Sequence, residues 1–299
     1  MAMAKDGAQG APGRLGSRVV KVAAIQMSSG LSVERNMDMA RNRLKRAKAA
    51  GAQWAALPEF WPLISPDGSA KAKIAEQDGS GPLQDAVSSW AKELGLTLFG
   101  GTIPLRSPDP ERPFNSLLVY GPNGERLARY DKLHLFRLRS KSGLAQLDER
   151  ATIYPGATAP SRLRVGDWDA ALGICFDLRF AELFRAQAPF DVLVLPSAFA
   201  PSTGRAHWEL LLRARAVENL AFVVAPGQTG ESESGRAFWG HSMIVGPWGD
   251  VLADAGADGE FALAALDLDE IAARRFKLPA LESARFRVDP DPLPFAPGD

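Results

Sequence analysis

Short apolar runs alternate along this chain with runs whose apolar residues recur at helical spacing. No other feature of the sequence narrows the fold as strongly. Residues 19–27 are β-branched and free of breakers, which reads as a buried strand. Met37, Ala40, Leu44 and Ala47 follow at helical spacing, and Gly51 stops that helix. Residues 54–57 form a second strand, which ends in Pro58-Glu59-Phe60. Residues 83–94 read as a helix stopped by Gly95, and 96–101 as a strand. A hairpin is expected where residues 116–120 meet Gly121-Pro122-Asn123-Gly124, with 125–135 running back extended and carrying Lys132. Residues 137–155 are polar and read as a long irregular loop, which contains Glu149 and ends at Pro155-Gly156.

The second half repeats the alternation. An apolar run, 168–174, leads into Cys175, and 178–188 reads as a helix. A strand at 191–195 ends in Pro196-Ser197-Ala198-Phe199. A helix over 206–220 places Leu210, Leu211, Ala214 and Val217 on one side. Strands at 221–225, 242–245, 251–253 and 261–268 complete the half, and a Pro-rich charged tail closes the chain. Alternation of this kind predicts an α/β protein with helices covering sheets. No composition shift marks a linker, so residues 19–299 read as one domain behind a leader, 1–18, rich in Ala, Gly and polar groups. That leader reads as disordered and lacks the apolar core of a signal peptide, which points to the cytoplasm.

Composition removes several function classes. Lys plus Arg and Asp plus Glu both number 35, which argues against general nucleic-acid binding and a polybasic membrane surface. A single cysteine excludes an intrachain disulfide and a paired-cysteine zinc site. The three histidines are far apart in sequence and form no H-x-x-x-H pair, so no metal site is expected. No apolar run approaches the roughly 20 residues of a membrane helix.

Three strand ends each present one chemically loaded residue: Glu59, Lys132 and Cys175. Ligands of open α/β sheets gather at the carboxyl ends of strands, so these three are candidates for one pocket. A cysteine nucleophile needs a base, which a desolvated Glu59 supplies. The tetrahedral intermediate needs positive charge and N–H donors, which Lys132 and the Phe176 backbone supply. Glu59 then protonates the departing amine and activates water, and the acyl group passes through a thioester. A helix opening just after Cys175 is expected to favour thiolate through its dipole. The bland alternatives are a buried structural cysteine, a solvated Lys132 and a solvent-exposed Glu149.

Leu-Pro-Glu-Phe at 57–60, Tyr-Asp-Lys-Leu-His-Leu-Phe at 130–136 and Gly-Ile-Cys-Phe-Asp-Leu-Arg-Phe at 173–180 resemble the three signatures of the nitrilase, or carbon–nitrogen hydrolase, superfamily. The resemblance implies a four-layer α-β-β-α sandwich, a Glu-Lys-Cys triad of Glu59, Lys132 and Cys175, and Glu149 as a helper before Tyr154-Pro155-Gly156. It also implies no cofactor, no metal, a small-molecule amide substrate and a homodimer or higher homo-oligomer. Cys-Phe-Asp resembles the amidase branches more than nitrilases proper. Pro196-Ser197-Ala198-Phe199, Thr203-Gly204, Ala206-His207-Trp208-Glu209 and Gly240-His241-Ser242-Met243 resemble the deaminated glutathione amidase branch, whose reaction gives 2-oxoglutarate and cysteinylglycine as metabolite repair. Relatives often carry Tyr where this chain has Phe176. The anionic acyl group implied calls for a cation, and Arg179 stands roughly one helical turn beyond Cys175. Asp177 or Glu182 is the alternative, structural partner for Arg179. Phe199 and Thr203 match positions that line the acyl pocket, with core packing the alternative for Phe199. The alternatives of activity are an ω-amidase on 2-oxoglutaramate, a nitrilase, a non-catalytic scaffold and a thiol redox sensor.

Overall fold

In the computed structural model, which describes residues 18–139, 145–233, 235–289 and 291, the alternation becomes two stacked sheets with helices outside them. The leader expected over 1–18 lies outside the described residues apart from Arg18, which pairs with Asp269 at 2.6 Å. The first half runs β1 (Val19–Ile25), α1 (Val33–Ala49), β2 (Trp54–Ala56), α2 (Ala70–Lys73), α3 (Pro82–Leu94), β3 (Thr97–Leu105), β4 (Phe114–Tyr120) and β5 (Arg126–Asp131). Next comes a small hairpin, β6 (Arg137–Arg139) and β7 (Ala145–Asp148), where the sequence suggested an irregular loop. Its strands are only three and four residues long, too short for an alternating pattern to reveal them.

The second half runs β8 (Leu163–Val165), β9 (Trp168–Leu172), α4 (Ala181–Gln187), β10 (Val192–Val194), α5 (Pro201–Asn219) and β11 (Phe222–Ala225). A hairpin of β12 (Thr229–Glu231) and β13 (Ala237–Trp239) follows. Then come β14 (Met243–Val245), β15 (Val251–Asp254), β16 (Phe261–Asp267) and α6 (Leu268–Lys277). The last helix stands where only a tail was expected. Asp267 caps it, accepting from the Asp269 N–H at 2.9 Å, and Arg274, Arg275 and Lys277 sit in its final turn, where the helix dipole favours cations.

One sheet has the order β16-β1-β2-β3-β4-β5 and the other β15-β14-β11-β10-β9-β8. In each, three parallel strands form the centre: β1, β2 and β3 in the first, β9, β10 and β11 in the second. Antiparallel strands flank them. Both faces of the first sheet are apolar, as buried parallel strands require. Val20, Val22 and Ala24 point to the second sheet, while Ala23 and Ile25 point to Leu44 of α1 and Val87 of α3. Trp54 seals the space between sheets, its ring 6.0 Å from Phe99 and 5.7 Å from Trp168. Burying an aromatic ring of this size is worth roughly 4–6 kcal/mol as an upper bound. Helices α4 and α5 cover the outer face of the second sheet, which makes the architecture a four-layer α-β-β-α sandwich.

The buried side of helix α5 is Gly204, Trp208, Leu212, Arg215, Ala216 and Asn219. Leu210 and Val217, which the helical spacing groups on one side, are 66% and 44% exposed. Arg215 can lie on the buried side because it bonds the Leu178 carbonyl at 2.8 and 3.0 Å and pairs with Glu218 at 3.0 Å.

Candidate active site

The three loaded strand ends meet at one rim. β5 lies two antiparallel steps from β3, so its carboxyl end points the same way as that of β2. Glu59 follows β2 by a tight turn whose carbonyl, Pro58 O, accepts from the Thr102 N–H at 3.3 Å. The turn exists only because Gly101 is glycine: its φ is +61°, and a Cβ there would stand 2.4 Å from Pro58 O. Phe60 then takes a φ of +54°, with its N–H donating to Thr102 Oγ1 at 2.8 Å. From the other half, Gln228 Nε2 donates to the Glu59 carbonyl at 3.0 Å and so ties the turn to the second sheet. Lys132 is the first residue after β5. Gly156 donates to its carbonyl at 2.9 Å, in a contact so close that a Cβ on Gly156 would lie 2.2 Å from Asp131 O.

Lys132, Glu59 and Glu149 satisfy one another's charge. The Lys132 ammonium lies 2.8 Å from Glu59 Oε1 and 3.0 and 2.7 Å from the two oxygens of Glu149. Glu59 and Lys132 are each 1% exposed. Asn115 Nδ2 adds a second donor to Glu59 Oε1 at 2.9 Å, and the Phe136 N–H a further donor to Glu149 Oε2 at 2.8 Å. Burial works to lower the Lys132 pKa, but Glu149 and Glu59, with a smaller push from Cys175, outweigh it and raise it far above the ordinary value. The Glu149 side chain is only 9% exposed, so it is not the solvated glutamate that its polar surroundings in sequence suggested.

Cys175 opens a single 3-10 turn, Cys175–Arg179, and its φ is +47°, a conformation that costs a non-glycine residue energy and tends to survive only at functional sites. The thiol is not poised as a thiolate. Burial pushes its pKa well above the ordinary value, and the neighbouring Glu59 pushes the same way, against partial opposition from Lys132 and the Ala198 N–H. The dipole argument fails because the chain makes a short 3-10 turn here and starts α4 only at Ala181. The Cys175 N–H is already taken by Pro196 O at 2.9 Å. The Phe176 N–H precedes the first bond of the turn, from Asp177 N to Ile174 O, and meets no acceptor among the described residues.

These groups line a cavity of about 140 Å³, to which Phe176, Arg179, Phe199 and Thr203 also contribute, as the sequence suggested. The Arg179 guanidinium lies 5.8 Å from the Phe176 ring and 5.9 Å from the Phe199 ring and contacts His207 Nδ1 at 3.3 Å. Neither Asp177 nor Glu182 pairs with it. Asp177 is instead the hub between the Lys132 and Cys175 loops: its oxygens accept from Tyr130 OH at 2.7 Å, Ile174 N at 2.8 Å, His134 N at 3.2 Å, and the His134 ring at 2.7 Å. Two lining cations, Lys71 and Arg236, escaped the sequence reading because they belong to no motif. Among the described residues no group of three His, Cys, Asp or Glu side chains is placed to hold a metal ion, and no helix is long and apolar enough to cross a membrane.

The carbon-nitrogen hydrolase family model matches residues 21–276. The chain belongs to that family. Its sequence is 36% identical over 270 residues to the ω-amidase NIT2 of Pongo abelii, covering 89% of this chain and 94% of that one. It is 33% identical over 269 residues to a deaminated glutathione amidase of Synechocystis sp., covering 88% and 97%. The crystal structure of Saccharomyces cerevisiae Nit3, a member of branch 10 of the nitrilase superfamily, superposes with a TM-score of 0.81 at 27% identity, covering 92% of this chain and all of that one. The protein is therefore a hydrolase of carbon–nitrogen bonds other than peptide bonds, an amidase of the carbon-nitrogen hydrolase family.

Proposed function

We propose that this carbon-nitrogen hydrolase cleaves the amide of deaminated glutathione through a thioester on Cys175, with Glu59 as base and acid, Lys132 as oxyanion partner and Glu149 as the helper that holds Lys132. The observation that carries the chemistry is the buried Lys132 ammonium clamped between two carboxylates on the same cavity lining as the Cys175 thiol. The resting thiol is neutral, so attack and deprotonation occur together. The sulfur adds to the amide carbon as its proton passes to Glu59. The oxyanion develops beside Lys132 and the Phe176 N–H, both in place beforehand and shielded from water, where such donors act most strongly. Glu59 then gives its proton to the nitrogen, the C–N bond breaks, and the amine leaves. Water next loses a proton to Glu59 as its oxygen joins the acyl carbon. Collapse expels sulfur, which recovers that proton, and the acid departs.

Arg179 supports an acyl group that bears a carboxylate. It lines the pocket with no carboxylate of the protein paired to it among the described residues. That feature serves a second reading equally, an ω-amidase on 2-oxoglutaramate, which the 36% identity to the NIT2 relative favours. Turnover of both compounds by the purified enzyme separates the readings. Cysteinylglycine and 2-oxoglutarate released at a higher kcat/KM than ammonia from 2-oxoglutaramate is the expected result. The reverse order assigns the enzyme to 2-oxoglutaramate.

A further inference from the structure

The pocket carries more positive charge than this chemistry uses. Lys132 answers Glu59 and Glu149. Arg179, Lys71 and Arg236 remain on the lining, and none pairs with a carboxylate among the described residues. Four lining cations against two lining carboxylates leave an excess of two positive charges among those residues.

The three spare cations form two groups. Arg179 belongs to the Cys175 turn and rests against Phe176 and Phe199. Lys71 and Arg236 belong to a different wall. The Lys71 ammonium stands 4.2 Å from the centre of the Phe60 ring, and the Arg236 guanidinium 5.3 Å from that of Phe238, two rings that share a small buried cluster. Lys71 feels the charge of Arg236, and also that of Glu59 and Glu149. Lys71 comes from α2 and Arg236 from the segment before β13, so the fold brings them together from distant parts of the chain. Their side-chain nitrogens make no hydrogen bond among the described residues. A half-buried pair of like charges costs energy when nothing lies between them, and an anion bound there offsets that cost.

We propose that Lys71 and Arg236 bind a carboxylate on the leaving-amine side of the scissile bond, so that the enzyme selects amides carrying one carboxylate on each side. The side follows from Glu59. The group that protonates the departing nitrogen must face it, and Lys71 lies over Phe60, the residue next to Glu59. Arg179 then holds the acyl carboxylate near the sulfur. Deaminated glutathione brings both carboxylates, the second on its cysteinylglycine end, whereas 2-oxoglutaramate leaves ammonia and brings one. The assignment rests on the amidase reading of the pocket and refines it from amide to dianionic amide.

The test is calorimetric binding to the Cys175→Ala protein, which cannot turn over. The ligands are deaminated glutathione and its analogue with the terminal carboxylate capped as an amide. Binding of the acid about tenfold more tightly than the capped form is expected. Lys71→Met and Arg236→Met, each placed in the Cys175→Ala background, should bring that ratio close to one, and Lys71→Arg should keep it. Equal binding of the two ligands before substitution, or a ratio that survives both Met variants, overturns the anchor. The same ratio with no hydrolysis of deaminated glutathione by the wild-type enzyme would refute the substrate reading and leave the anchor standing. Turnover without discrimination would do the opposite.

Discussion

The two sheets share a plan and differ in what they bring to the site. Each centres on three parallel strands flanked by antiparallel ones, and each directs strand ends toward the same rim. The first sheet delivers fixed charge. Glu59 and Lys132 emerge from it fully buried and bonded to each other, with Asn115 and Glu149 as further partners. The second delivers the Cys175 thiol, the nucleophile we propose, on a strained turn, with its pKa pushed up by burial and by the carboxylate that the first sheet supplies. The difference teaches that the scaffold separates two tasks. One half holds an electrostatic frame that is costly to disturb, and the other holds a group that costs little to remove. Gln228 and Asp177 bridge the halves, the first to the Glu59 turn and the second to the loop after Lys132.

That comparison is open to breakage by substitution. Cys175→Ala should lower kcat on the order of 10⁴-fold or more while the unfolding midpoint in urea stays near wild type, because the thiol it removes is uncharged. A large loss of stability would show that the second half is also a structural frame. Lys132→Met should reduce both. It abandons two buried carboxylates at close quarters, at a cost of about 3–5 kcal/mol in unfolding free energy, together with the loss of turnover. A Lys132→Met protein as stable as wild type would contradict the frame.

Arg179→Ala comes next, with an effect of about tenfold in KM confined to substrates bearing an acyl-side carboxylate. An equal loss on uncharged amides would remove its recognition role. A pH dependence is expected at Lys71. Burial lowers its pKa from the ordinary 10.5 to about 8; Arg236 and Lys132 add to the lowering, and Glu149 and Glu59 oppose it. Between about pH 8 and 10.5 the unfolded chain therefore holds the Lys71 proton more than the folded one does, so this group's contribution to stability rises with pH across that window. Relative to Lys71→Met, the wild-type melting temperature should gain with pH over that range. A difference that stays flat would rule out the lowered pKa.

Much of this was legible in the sequence, for reasons that differ by element. Strand β11 and residues 22–25 of β1 are buried on both faces, so their apolar runs revealed them. Glu59, Lys132 and Cys175 were legible because each closes a strand within a distinctive motif. The β6–β7 ribbon was missed because its strands are only three and four residues long, and α6 because it buries only Leu268 and Ile271. The thiol's protonation was misread because a short 3-10 turn and a long helix look alike in residues 175–188, and because burial cannot be read from a motif. Asp177 was read as a salt-bridge candidate, since nothing local reveals that its partners are Tyr130 and His134 on another strand end. Lys71 and Arg236 look like any solvated cations until the chain folds two distant segments over one pocket.

The central claim is that Cys175 carries the acyl group. Intact-protein mass spectrometry on enzyme quenched during turnover of deaminated glutathione, followed by peptide mapping, tests it most directly. The expected result is a mass increase equal to the acyl part of 2-oxoglutarate, located on Cys175 and lost on incubation as free 2-oxoglutarate appears. Turnover that proceeds with no adduct on Cys175, and that persists in Cys175→Ala, would contradict it.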